Sequence, residues 1–202
     1  MLHKAITTFA PIATLENLLN VVGIHCRDKL DNTPLHTAAI VSNNDALNLL
    51  LKAGAKINST NIKGNTALHI LASSNNTKGI SIINPYMPNY LIENERGHIP
   101  LCSAIANDSF AAVDLILNYK NTVDYVNRFG NSPLHVAAMY NSVASTNILL
   151  KYNPIKNIKN ISGNTPLHIG SMFKSKEVIT RLIEEGAGTH ITNNQGKTYY
   201  QI

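Results

Sequence analysis

The sequence of 202 residues predicts an all-α fold, a solenoid of stacked helix–turn–helix units with β-hairpin loops between them. Three observations support this: one hexapeptide recurs in phase along the whole chain, helix-capping residues recur within it, and turn residues separate two helical segments in each repeat. The hexapeptides are DNTPLH at 31–36, GNTALH at 64–69, GHIPLC at 97–102, GNSPLH at 130–135, GNTPLH at 163–168 and GKTYYQ at 196–201.

Each hexapeptide begins 33 residues after the previous one. This constant spacing predicts the domain organisation, a single array over residues 1–202. Its approximate units are 1–30, 31–63, 64–96, 97–129, 130–162 and 163–195, followed by an incomplete unit at 196–202. A unit of this size cannot bury its apolar face alone, so its stability comes from its neighbours. Because Ile202 stops one helical turn into a seventh unit, we expect the chain to be cut from a longer protein.

The unit at 31–63 shows how the first helix of a repeat is specified. Thr33 is expected to cap this helix by accepting a hydrogen bond from an otherwise unbonded backbone N–H group. Pro34 fits the first helical position, where no N–H donor is needed. Equivalent helices are expected to open near residues 66, 99, 132 and 165.

The second helix of the same unit follows the turn sequence at 42–45. Asp45 is expected to cap this helix, and Gly54 is expected to end it in the left-handed conformation that glycine tolerates. The expected buried face consists of Ala46, Leu49, Leu50 and Leu51.

Two units depart from this pattern. Pro85 and Pro88 fall where the second helix of the unit at 64–96 should finish, which predicts a short helix with a rebuilt exit loop. The second helix of the first unit, expected at 15–22, is shifted by one or two residues. Pro85 and Pro88, together with Cys102, which replaces a recurring histidine, make residues 64–102 the expected weak part of the array.

The recurring hexapeptide and the repeat length resemble those of the ankyrin-repeat family, over essentially the whole chain. The resemblance implies an array that binds folded protein partners and has no catalytic activity of its own. In that family the histidine at the fourth position of the hexapeptide hydrogen-bonds the backbone of the adjoining loop. The resemblance implies this structural role for His36, His69, His135 and His168.

The residue types that would support catalysis or metal binding are present but wrongly spaced. Successive repeat histidines should lie about 8–10 Å apart, whereas zinc needs its donor atoms about 2 Å from one ion. Neither Cys26 nor Cys102 has a predicted base and orienting acid beside it. The recurring glycines are hairpin residues rather than a phosphate-binding loop. We therefore expect no catalytic residues, no metal and no cofactor.

Composition limits the partners and the location of the chain. The formal net charge of +5 comes without a basic stripe, so nucleic acid is not the expected partner. No apolar stretch approaches the ~18 residues of a membrane span. Two cysteines indicate a reducing compartment. We expect a monomer in the cytoplasm, or one secreted into host cytosol without a cleaved signal peptide; residues 4–15 imitate such a peptide but match the repeat.

The candidate partner-binding residues come from two positions of the repeat. The resemblance implies that the fourth and fifth residues before the proline position line the hairpin fingers, and that the sixth and seventh after it face a concave groove. In the last repeats these positions hold large side chains: Arg128, Phe129, Met139, Tyr140, Ile161, Met172 and Phe173. Such a cluster is typical of an interaction site. The alternative is that these side chains pack between repeats.

The function favoured by these observations is protein–protein recognition in a concave groove. Frequent Asn, Ile and Lys are typical of an AT-rich genome. Such usage favours an ankyrin-repeat protein of an intracellular bacterium, acting as an effector on host proteins, although a poxvirus-like origin fits equally. The alternative function is a targeting module of a larger enzyme whose catalytic domain lies outside this chain.

Overall fold

The computed structural model describes all residues from Met1 to Ile202, and its regular structure consists of helices without a β-strand. The chain divides into two compact halves, Met1–Pro100 and Leu101–Ile202. The prediction of an all-α fold is confirmed, whereas the division into 33-residue units within one array stays a prediction. None of the helices is both long enough and apolar enough to cross a membrane.

The helices of the N-terminal half form three pairs. They are α1 (Leu2–Thr7) with α2 (Ile12–Val22), α3 (Pro34–Ile40) with α4 (Asn44–Lys52), and α5 (Ala67–Ser73) with α6 (Thr77–Ile83), followed by a 3₁₀ helix at Asn84–Tyr86. Within this half α1 packs against α3 and α3 against α5, while α4 packs against α6. The core between these helices consists of fully buried aliphatic side chains, among them Leu2, Ile6, Leu35, Leu47, Leu68 and Ile80.

The C-terminal half repeats the arrangement. Its pairs are α7 (Pro100–Ala106) with α8 (Phe110–Tyr119), α9 (Pro133–Tyr140) with α10 (Val143–Leu150), and α11 (Pro166–Met172) with α12 (Lys176–Glu184), and a 3₁₀ helix at Tyr199–Gln201 follows. Helix α9 packs against α11, and α10 packs against both α8 and α12. The first helix of each later pair thus begins within a residue of the predicted positions 33, 66, 99, 132 and 165.

A reciprocal cap opens the first helix of most pairs. Thr33 accepts a hydrogen bond from the backbone N–H of His36, and the ring Nδ1 of His36 accepts one from the backbone N–H of Thr33 at 3.1 Å. Pro34 occupies the first helical position, as predicted. Thr66, Ser132 and Thr165 form the same cap with His69, His135 and His168. Each cap satisfies two backbone groups that a helix start leaves unbonded.

The prediction that Asp45 caps α4 is wrong. The capping residue is Asn43, whose side-chain oxygen accepts a hydrogen bond from the N–H of Ala46 at 3.0 Å. Because α4 already begins at Asn44, Asp45 lies in its first turn, where its negative charge favours the positive end of the helix dipole.

The rest of α4 follows the prediction except at one buried position. Leu47 is buried and Leu49 is only half-buried, so the buried face is rotated slightly from the expected one. Gly54 has φ +85°, the left-handed conformation expected after the helix. Its N–H donates to Leu51 O at 3.0 Å, which bonds one of the carbonyls left free at the helix end.

Both departures from the repeat pattern are present. Helix α6 ends at Ile83, and the chain continues through the 3₁₀ helix Asn84–Tyr86 to Met87, which has φ +51°. Helix α2 begins at Ile12, earlier than the predicted residue 15, and ends at Val22 as predicted. Its end lies three residues beyond the position equivalent to Lys52, the last residue of α4.

The loops that join the repeats are tight turns rather than extended hairpins. The backbone N–H of Asn61 donates to Asn65 O at 3.0 Å, and the side-chain oxygen of Asn61 accepts from the N–H groups of Lys63 and Asn65. Neighbouring loop tips are joined by single backbone bonds such as Ile62 N–H to Leu30 O at 3.1 Å. Self-contained turns of this kind hold the side chains of the loop tips in defined positions.

We expect amide hydrogen exchange to be faster at residues 73–93 than at residues 133–183. Helix α6 has only seven residues, and the proline-containing exit segment has fewer backbone hydrogen bonds to protect. Native-state exchange followed by mass spectrometry measures this directly. Equal protection of the two segments would contradict the prediction.

Candidate protein-binding surface

The predicted binding residues all belong to the C-terminal half and most of them are exposed. The exposed fractions are 45% for Phe129, 40% for Tyr140, 69% for Ile161, 51% for Met172 and 50% for Phe173. Arg128 is exposed as well, whereas Met139 is half-buried. Side chains packed between repeats would be covered, so these values favour the surface interpretation over the packing one. Their role in binding stays a prediction.

The loop residues of this set are neighbours. The N–H of Ile161 donates to the carbonyl of Phe129 at 3.2 Å, which places two exposed apolar side chains on adjacent loop tips. The guanidinium carbon of Arg128 lies 4.9 Å from the centre of the Phe129 ring, within the range of a cation–π contact. The contact holds the aromatic ring at the rim of the surface.

The helix residues of this set occupy equivalent places on two packed helices. Tyr140 is the last residue of α9, and Met172 and Phe173 stand at the end of α11. Because α9 packs against α11, these ends face the same side at about the 8–10 Å spacing of neighbouring helices. We call Phe129, Met139, Tyr140, Ile161, Met172 and Phe173 the apolar patch.

A cleft of about 570 Å³ joins the loop part of the patch to its helix part. Ile161 from the loop and Met172 from α11 line it together with Ile202. The polar part of its wall includes Asn164, Asn194 and Lys197. Ile161 and Met172, selected separately from the sequence, therefore border one depression.

Three exposed apolar residues of the N-terminal half were missed as site candidates. Leu30, Ile40 and Ile62 are exposed by 57%, 52% and 58%, and they occupy the same repeat positions as the patch residues. The rule of repeat position that selected the patch also identifies these residues. They were not selected because the sequence prediction was restricted to the large side chains, mainly aromatic residues and methionine, of the last repeats.

The repeat histidines have the structural role that the family resemblance implied. Their Nε2 atoms lie 2.8–3.0 Å from backbone carbonyls of the following loop: His36 to Asn65, His69 to His98, His135 to Asn164 and His168 to Lys197. Since Nδ1 accepts from the capping residue, Nε2–H is the donor and the rings are neutral. No group of three His, Cys, Asp or Glu side chains is arranged to hold a metal ion.

We expect stability to fall as the pH is lowered from about 6.5 to about 4. Burial lowers the pKa of His69 and His135 from 6.5 to about 4. Between these pH values the two histidines are protonated in the unfolded chain but neutral in the folded one, so acidification favours unfolding. Each ring contributes up to about 3 kcal/mol of stability at neutral pH that is lost on acidification.

Urea unfolding at several pH values tests this expectation. A stability that stays constant between pH 7 and pH 4.5 would show that the buried rings do not titrate in this way.

Comparisons with known proteins agree with this architecture. A family model described as ankyrin repeats in three copies matches residues 2–90, 44–126, 79–160 and 101–195. The structure is similar to the ankyrin-repeat domain of Bcl-3, a member of the IκB protein family, with TM-score 0.87 and 24% identity over 99% of this chain and 92% of that one. The human ASB11 ankyrin-repeat domain gives TM-score 0.83 and 22% identity over 99% and 90%. No curated protein sequence matches the chain.

Proposed function

The chain belongs to the ankyrin-repeat family, and we propose from this that it binds a protein partner through the apolar patch of its C-terminal half. Ankyrin repeats are protein–protein interaction modules. The observation that carries the proposal is the exposure of five large apolar side chains, each between 40% and 69%, on one set of loop tips and helix ends. Exposed apolar surface of this kind usually marks an interaction site.

The composition of the patch supports this function. Aromatic residues, methionine and arginine are the side chains most enriched at protein interfaces, and Phe129, Tyr140, Met172 and Phe173 belong to these types. Their positions are fixed by packed helices and by loop turns with internal hydrogen bonds. Little backbone conformational entropy is therefore lost when a partner binds.

We expect Tyr140→Ala and Phe173→Ala each to weaken partner binding by about 2 kcal/mol or more, as truncation of an interface hot spot does. Stability should fall by less than the roughly 3–5 kcal/mol that a core deletion costs, because rings exposed by 40% and 50% are only partly buried. The partner is first captured from cell lysate with the unmodified chain, and its purified form is then titrated against each variant.

Ile155→Ala is the matched control, since Ile155 is 59% exposed but lies outside the patch. It should leave the affinity unchanged. A stability loss of about 3–5 kcal/mol on Tyr140→Ala or Phe173→Ala, with unchanged affinity, would identify the rings as core residues and refute the proposal.

We also propose that the protein acts as a monomer and without chemistry of its own, as an effector in the cytosol of a host cell. The support is compositional: frequent Asn, Ile and Lys, and only two cysteines, Cys26 and Cys102. A reporter enzyme fused to the chain, active only in host cytosol, tests the location. Absence of signal during infection would contradict the effector role.

A further inference from the structure

Lysine side chains flank the apolar patch on two sides. Lys197 lines the cleft that Ile161 and Met172 border, and Lys174 directly follows Phe173 at the end of α11. Both lysines are exposed. The backbone of each lysine is held in place by hydrogen bonds.

The anchoring bonds are backbone bonds to defined partners. The carbonyl of Lys197 accepts from Nε2 of His168 at 3.0 Å, and its N–H donates to the side chain of Asn193 at 3.1 Å. The N–H of Lys174 donates to Ser171 O at 3.1 Å. The two ammonium groups therefore extend from fixed points beside the patch.

The three asparagine side chains that line the cleft are already engaged with the protein, and Ser162 and Gln195 line it as well. Nδ2 of Asn194 donates to Ile161 O at 3.0 Å, and Nδ2 of Asn193 donates to the side-chain oxygen of Asn164 at 2.9 Å. Asn164 in turn directs its own Nδ2 to the sulfur of Met172 at 3.9 Å. The cleft therefore offers a ligand the apolar side chains of Ile161, Met172 and Ile202 among polar ones, with Lys197 on its wall.

Three of the six acidic side chains of this half are engaged away from the patch. Glu184 and Glu185 pair with Arg181 at 3.3 and 2.7 Å on α12. Asp124 accepts a hydrogen bond at 2.7 Å from the backbone N–H of Ile155, which lies in the loop that follows α10. These acids do not neutralise the lysines of the patch.

One carboxylate does approach the patch, beside Tyr140. Glu177 in the first turn of α12 accepts from Nδ2 of Asn141, the residue after Tyr140, at 3.2 Å. A backbone N–H bond and the Asn141 side chain hold the pKa of Glu177 below its usual range, so the group is ionised at neutral pH. The patch thus has a positive side at the cleft and a negative point beside Tyr140.

We propose that the segment bound by the apolar patch is acidic as well as apolar: a protein segment whose large apolar side chain enters the cleft and whose neighbouring Asp or Glu carboxylate pairs with Lys197, with a second carboxylate near Lys174. This inference rests on the proposed function. Complementary charge at the rim of an apolar contact selects among partners and speeds association, and a basic segment meets repulsion from both lysines.

The test uses the full chain and a display library of random 12-residue peptides. We expect the selected peptides to combine aromatic or aliphatic residues with Asp or Glu. Lys174→Glu combined with Lys197→Glu should weaken their binding at least tenfold, and raising the salt concentration should weaken binding to the unmodified chain more than to this variant. Lys151→Glu, at an exposed position after α10, is the control and should have no effect.

The outcomes separate this inference from the proposed function. Selected peptides without acidic enrichment, or peptides that bind the double variant equally well, would overturn the inference, and the proposed function would survive if Met172→Ala or Phe173→Ala still abolished binding. Peptides insensitive to all of these substitutions would refute both. Displacement of the peptides by a 20-nucleotide single-stranded oligonucleotide that itself depends on Lys197 would overturn the inference in favour of a nucleic acid. A thermal midpoint unchanged in the double variant confirms that the variant is folded.

Discussion

Replacement of His135 by alanine is expected to destabilise the protein by about 3–5 kcal/mol, a loss typical of a large buried side chain with hydrogen bonds. The ring is fully buried. Its Nδ1 accepts from the N–H of Ser132 at 3.0 Å, and its Nε2 donates to Asn164 O at 2.9 Å. The substitution leaves a cavity and deprives two buried backbone groups of their partners.

Equilibrium unfolding in urea measures this loss, with His190→Ala as the control. His190 is exposed, so its truncation should change the free energy of unfolding by no more than about 0.5 kcal/mol. A similar, small effect for His135→Ala would mean that the ring is not part of the connection between repeats.

Residues 97–102 show a helix start without this histidine. Cys102 stands at the histidine position and Ile99 at the position of the capping residue, and both are buried. Replacing both partners of a polar pair by apolar groups costs much less than removing one of them. Ser132→Ile combined with His135→Cys should therefore destabilise the protein less than the sum of the two single substitutions.

The second large effect is expected for Gly163→Ala, which should destabilise the protein by about 3 kcal/mol. Gly163 has φ +74°, a conformation that costs an alanine roughly 1–2 kcal/mol. A Cβ atom there would also lie 2.6 Å from the backbone nitrogen of Asn194 on the next loop. The Cβ would also meet the side-chain oxygen of Asn194, which is nearer still. A side chain can turn away but the backbone nitrogen cannot, so the contact is relieved only by moving the two loops apart, which adds the cost of overpacking.

Gly196→Ala separates the two contributions. Gly196 has nearly the same backbone angle, φ +72°, but no atom lies within 4 Å of the position that its Cβ would take. This variant should lose only the conformational cost, about 1 kcal/mol. Equal losses for the two alanines, measured by urea unfolding, would show that the loops move apart freely.

The sequence alone determined the fold and the beginning of each repeat. Thr33 with Pro34 predicted the start of α3, and Gly54 predicted the left-handed end of α4, because capping depends on three or four consecutive residues. The cap of α4 was predicted wrongly because this local chemistry offered two candidates. Asn43 and Asp45 are both good caps, and local chemistry does not decide between two suitable residues so close together.

The candidate site was predictable in its members but not in its form. Repeat position selected the candidate side chains, whose role in binding stays a prediction, and Tyr140 and Phe173 are exposed as the hypothesis required. Only the packing of α9 against α11 decided that Met139 is half-buried beside the exposed Tyr140. Exposure depends on how neighbouring helices cover a side chain, and no single repeat contains that information.

The cleft between the loop and α11 was likewise decided by tertiary structure. Ile161, Met172 and Ile202 are far apart in sequence and meet only because the loops stack and hold one another by backbone bonds. The sequence determined the repeating helix pairs through local capping and turn chemistry. The tertiary structure decided which side chains stay exposed and which charges surround them, because both depend on contacts between repeats.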